Sequence, residues 1–163
     1  MGYHPPRNPS YRTVSLGATG NKLSVPISNS ERLAIIRLYG RLKAAGGSPT
    51  ITVEINGAST GITMQYTGAS NAAAIAGRTA IGVVADGTTA WLSLAMDARY
   101  GSNSLQRMGE TTLGLMSTTA VDSIYKATFI WNNTADAITA LDIKASSSHL
   151  VVGTYVTVEE VFL

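Results

Sequence analysis

Apolar and polar side chains alternate with period two through most of this chain. Residues 50–55 place Ile51, Val53 and Ile55 on one face and Thr52 and Glu54 on the other, and residues 62–67 repeat the pattern around Met64. Leu23, Val25 and Ile27 share a face in residues 22–28, where Pro26 removes a ladder donor and marks an edge or bulged strand. In residues 32–42 the β-branched pair Ile35-Ile36 and the flank Tyr39-Gly40 favour a strand over the helix that propensity alone would allow. Further strands are predicted at 90–96, at 107–117 with Gly109 and Gly114 as bulges or bends, and at 122–131, 138–145 and 154–162.

The punctuation between these runs is equally regular. Asn56-Gly57 and Asp86-Gly87 carry hairpin-turn chemistry, residues 29–31 and 100–104 read as turns, and residues 44–49 as a loop. Residues 68–80 are Ala-rich and read as a surface excursion, with one short helical turn at 71–76. Residues 127–163 read as a hairpin and return. About eight to ten short strands with little helix predict an all-β fold, an antiparallel β-sandwich or jelly roll. Its inward residues should include Ile51, Val53, Ile55, Met64, Leu92, Leu94, Phe129, Trp131, Leu141 and Ile143. Trp91, Trp131, Tyr66 and Tyr125 sit inside apolar runs and are expected to pack in the core rather than stack on a ligand.

The chain opens differently. Pro5, Pro6 and Pro9 fix the backbone and remove donors, so residues 1–20 read as an extended, basic, Pro-rich arm and residues 21–163 as the sandwich domain. Tyr3, Arg7, Tyr11 and Arg12 are residue types enriched where proteins meet and are the expected partner-binding positions. On this reading residues 1–12 are a tether, dispensable for folding.

The order F-x-W-N-N-T-A-D-A-I-T-x-L-D-I-x-A-S from Phe129, followed after a polar gap by G-T-x-V-x-V from Gly153, resembles the C-terminal strands of β-sandwich virion proteins of tailed bacteriophages. The resemblance covers roughly the last quarter of the chain and implies a jelly-roll-like, non-enzymatic structural protein of a phage particle. Its implied partners are further copies of itself, as a trimer by analogy with decoration proteins at local three-fold positions, and the major capsid protein or another virion protein. A capsid decoration or cement protein on the head surface, made in the host cytoplasm, is the leading expectation. The alternative is a receptor- or carbohydrate-binding module of a tail fibre or spike.

Composition adds to this picture. The 163 residues suit one domain with one core. Charged residues make up 13 %, about half the usual share, which suits a surface packed against copies of itself or a partner. The net charge of +2 is unevenly placed: residues 1–45 hold seven basic side chains against Glu31, a balance of +6, and residues 46–163 hold five against nine acidic ones, a balance of −4. The basic charges are spaced rather than clustered, so nucleic acid is not the expected partner. No run approaches the ~18 apolar residues of a membrane span, and the first residues lack a signal peptide's apolar core, so no membrane partner is expected.

Candidate chemistry is sparse. The absence of cysteine excludes disulfides and thiolate nucleophiles. His4 and His149 lack a neighbouring carboxylate or a second metal ligand at a suitable spacing, and Ser146-Ser147-Ser148-His149 offers hydroxyls beside an imidazole without triad spacing. Glu159 and Glu160 would point to opposite faces of a strand and so cannot act as an acid and base pair. Asp86, Asp136 and Asp142 are isolated, and there is no phosphate-binding glycine loop. No catalytic, cofactor-binding or metal-ligating residues are assigned, and no enzymatic activity is expected.

Overall fold

The structure, a computed structural model, describes residues 8–28, 33–67, 75–76, 80–99, 106–116, 121–147 and 149–163. These form strands β1 (Ser10–Ser15), β2 (Lys22–Pro26), β3 (Leu33–Lys43), β4 (Thr50–Ile55), β5 (Ile62–Thr67), β6 (Ile75–Ala76), β7 (Ala80–Val83), β8 (Thr89–Asp97), β9 (Arg107–Met116), β10 (Val121–Trp131), β11 (Ala140–Ala145) and β12 (Tyr155–Phe162). The fold is the expected all-β sandwich of two antiparallel sheets. The described residues hold twelve strands rather than eight to ten, because β1, β6 and β7 join the ladders.

The larger sheet runs β1-β12-β3-β8-β9-β10-β5-β6 and the smaller β2-β11-β4-β7. Pro26 lies in β2, an edge strand, where the missing donor removes no central ladder bond. All ten residues expected to face inward are buried, each no more than 3 % exposed. The inner faces interdigitate through Leu92, Leu94 and Phe129 of the larger sheet and Ile51, Leu141 and Ile143 of the smaller. Period-two alternation is a good guide here because each sheet has one face against the core and one against solvent.

The turns behave otherwise than expected. Asn56 (φ 54°) and Gly57 (φ 75°) do form a tight two-residue turn, closed by reciprocal hydrogen bonds between Ile55 and Ala58. The hairpin stops there, since β4 belongs to the smaller sheet and β5 to the larger. Asn56 is bound instead to the segment before β11: its Nδ2 donates to Ala137 O and its Oδ1 accepts from Thr139 N, both at 2.8 Å. Asp86-Gly87 likewise turns the chain from β7 in one sheet to β8 in the other. Nor do residues 127–163 make a hairpin, because β10, β11 and β12 do not pair with one another. Left-handed turn residues fix a local reversal, and the apolar face of each strand then decides which sheet it joins.

Three further expectations change. Gly109 is no bulge: it sits in a regular ladder, where an added Cβ would come within 2.4 Å of the Phe129 ring and 2.8 Å of Met96 Cβ. Ile75–Ala76 is a short strand on β5 rather than part of a helical turn. Ser10–Ser15, expected to belong to the arm, is instead an edge strand against β12, and residues 1–7 of that arm lie outside the described residues. The turns expected at 29–31 and 100–104 lie outside the described residues.

Candidate interaction face

Strand β8 explains how a face is made. Ala90, Leu92, Leu94 and Met96 enter the core, so Trp91, Ser93, Ala95 and Asp97 must stand on the outer side. Trp91 is therefore 44 % exposed, which corrects its expected core position, whereas Trp131 is buried and Tyr125 packs half-buried against the core. The Tyr66 side chain lies outside the described set. Among the described residues nine large apolar side chains are exposed, and six of them, Tyr11, Tyr39, Trp91, Met108, Met116 and Ile124, stand on the outer face of the larger sheet. Concentration on one face distinguishes them from the scattered apolar residues of an ordinary surface.

The ladder registers set the pattern of this face. One row across it reads Ser15, Tyr155, Arg41, Trp91, Gly114, Ile124, and another, nearer the opposite end of the strands, reads Tyr11, Glu159, Arg37, Ala95, Glu110, Thr128. Large and small side chains are therefore exchanged between the two ends, with Trp91 at one and Ala95 at the other. Gly114 opens a slot beside Trp91, since a Cβ there would meet nothing within 4 Å. A groove of about 590 Å³ runs beside Trp91, Arg41, Thr89 and Met116. A second, of about 670 Å³, is lined by Ile35, Ala95, Met108, Gly109, Glu110 and Leu163, among others.

Charge follows the same axis. At the Ala95 end Arg37 pairs with Glu159 at 3.1 Å and Arg99 with Asp97, while Glu110 makes no ion pair among the described residues. At the Trp91 end Arg41 donates to the Thr89 hydroxyl at 3.2 Å, and among the described residues neither Arg41 nor Lys43 makes an ion pair. The Arg37 and Arg99 guanidiniums, by hydrogen bonding, hold the Glu159 and Asp97 carboxyls below the usual carboxylate range. Tyr11 donates its hydroxyl to Glu159 at 2.9 Å, and that bond raises its own pKa.

The four expected partner-binding residues fare differently. Tyr3 and Arg7 lie outside the described residues. Tyr11 stands exposed at the rim of the face. Arg12 points the other way: its guanidinium donates to Glu160 at 3.2 and 3.4 Å and also to Pro26 O. Glu160 is fully buried and takes two more hydrogen bonds, from Ser28 N at 2.6 Å and Ser28 Oγ at 2.7 Å. Together these groups clamp β1 and the end of β2 to β12.

A second buried charge passed unnoticed in the sequence. Arg107, 2 % exposed, lies over the Trp131 ring at 4.9 Å and donates to Arg99 O at 2.9 Å and Asp136 O at 2.7 Å. Burial lowers its pKa from the usual guanidinium value. Its inward phase with Gly109 and Leu113 was the available signal. Glu159 and Glu160 do take opposite faces. Ser147 and His149 hydrogen-bond each other through Oγ and Nδ1 beside Gly47, and among the described residues no group of three or more His, Asp or Glu could hold a metal ion.

No family model, curated protein or solved structure matches this chain.

Proposed function

We propose that this protein is a non-enzymatic structural component of a tailed-phage particle, a decoration or cement sandwich that joins shell subunits through the outer face of its larger sheet. The carrying observation is the gathering of six exposed large apolar side chains, Trp91 among them, on that face. Burying such a patch contributes about 25 cal/mol per Å² of apolar surface, and hot spots of this kind favour Trp and Tyr. The low charge content and the resemblance of residues 129–158 to phage virion sandwiches point the same way. Mass spectrometry of purified particles, followed by electron microscopy to locate the chain, tests the reading. Absence of the chain from purified particles would refute it.

The second reading is a carbohydrate-binding module of a tail fibre or spike. It is favoured by the exposed Trp91 indole beside the groove that also holds Arg41 and Thr89, an arrangement suited to stacking a sugar ring and bonding its hydroxyls. Saturable quenching of Trp91 fluorescence by a glycan, lost in Trp91→Ala, would establish it over the first.

A further inference from the structure

Three of the four sheet edges are blunted against further pairing. β2 carries Pro26, β6 is two residues long, and β7 is four residues long with a register shift in its pairing with β4. The fourth edge is β1, which runs six residues from Ser10 to Ser15 with no proline, no glycine and no register shift against β12. Its one charged side chain, Arg12, is paired with Glu160, so the edge presents no uncompensated charge. The ladder phase shows which backbone groups this edge offers. Leu16 N donates to Thr154 O, its direct opposite in the register, so the even-numbered residues of the strand are those that exchange bonds with β12. The Thr13 and Thr157 hydroxyls meet at 2.8 Å, the close side-chain approach of a pair that exchanges none. The N–H and C=O groups of Tyr11, Thr13 and Ser15 therefore point out of the edge, and among the described residues no strand lies beyond them.

These three residues are symmetric about Thr13. Laid antiparallel on a second β1 with Thr13 opposite Thr13, Tyr11 falls opposite Ser15, and every outward N–H and C=O of both copies finds a partner. A shift of two residues one way sets Ser15 against Pro9, which has no N–H, and Arg12 against Arg12; the opposite shift sets Tyr11 against Gly17, beyond the end of the strand. In the symmetric register the outer face pairs Tyr11 with Ser15 and Thr13 with Thr13, the inner face pairs Arg12 with Val14, and no like charges are opposed. Pro9 of one copy then lies opposite Gly17 of the other, where an added Cβ would meet nothing within 4 Å. A copy of β1 thus matches this edge in length, in direction and at both boundaries. We infer that β1 pairs with β1 of a second copy about a two-fold axis perpendicular to the sheet, joining the two larger sheets into one in an isologous dimer. That axis keeps both outer faces on the same side and leaves them open, so the inference is independent of what docks there. Two copies, rather than the three expected by analogy, satisfy it.

Sedimentation equilibrium of the full chain across the micromolar range tests the inference, with circular dichroism confirming that each variant folds. The wild type should be a dimer. Thr13→Pro removes a backbone donor that the single chain does not use, and should weaken the dimer at least about tenfold. Thr13→Lys and Thr13→Glu each set like charges opposite one another across the axis and should be monomers alone, whereas an equimolar mixture of the two should form the mixed dimer. Trp91→Glu, on the outer face, should leave the dimer unchanged. A wild-type monomer or trimer overturns the inference, as does a dimer that Thr13→Pro leaves intact or a mixture of the two charged variants that fails to associate. Loss of the dimer in Trp91→Glu would place the contact on the outer face and overturn the edge pairing.

Discussion

Replacing Arg12 by alanine probes the buried clamp at the edge of the sandwich. Glu160 is fully buried and accepts hydrogen bonds from two partners, Ser28 and Arg12, the latter with a side chain 33 % exposed. Removing one partner of a buried pair usually costs about 3 to 5 kcal/mol, because the other charge is left without compensation. Two features reduce that figure: water already reaches a third of the Arg12 side chain, and Ser28 still donates twice to the carboxylate. The expected loss is about 2 to 3 kcal/mol, or roughly 5 to 10 °C in the thermal midpoint of a domain this size. Urea denaturation at neutral pH reads it directly, as a lower midpoint with unchanged slope. Glu160→Gln should lose less, because the amide oxygen still accepts from Ser28. If Arg12→Ala is as stable as the wild type, the clamp contributes nothing and Arg12 is available for a partner after all.

Gly109→Ala should cost about 1 to 3 kcal/mol by forcing a methyl into the Phe129 ring, while Gly114→Ala, with open space above it, should stay within about 1 kcal/mol of the wild type in thermal denaturation. Trp131→Ala should cost about 3 to 5 kcal/mol in the same assay, and Trp91→Ala far less, since only the first ring is buried. Glu159 and Asp97 have folded pKa values below their unfolded ones, so their stabilisation is complete above the unfolded values and is lost as pH falls through the folded ones. Stability should therefore decline below about pH 4, and Arg37→Ala with Arg99→Ala should flatten that part of the profile.

Much of the core was legible because burial on one face imposes period two, and Leu141, Ile143 and Phe129 could be assigned inward from their neighbours alone. The same rule applied strictly to β8 turns Trp91 outward, and there phase prevails over the hydrophobicity of the side chain. Asn56-Gly57 and Asp86-Gly87 announced chain reversals correctly without revealing that each leads to the other sheet, because dihedral preference is local and strand pairing is not. The contact made by Arg12 is the least legible. Its partner lies 148 residues away, and nothing near it in sequence signals a buried carboxylate. The interaction face was likewise hidden, since each of its rows takes one residue from each of six strands far apart in sequence.

The position of β12 between β1 and β3 has a consequence for synthesis. β12, made after the other described strands, supplies the pairing partner for β1, made before them, with Ser10 opposite Glu160, and also one edge of β3. A nascent chain that has emerged only as far as β11 therefore carries β1 with no ladder to join and β3 with one open edge. Such edges pair readily with other chains. Long-range pairing of this kind also makes folding slow. The sheet can close only after β12 has left the ribosome, so a pause or truncation before Tyr155 should divert the chain to aggregates instead of leaving a smaller folded sandwich.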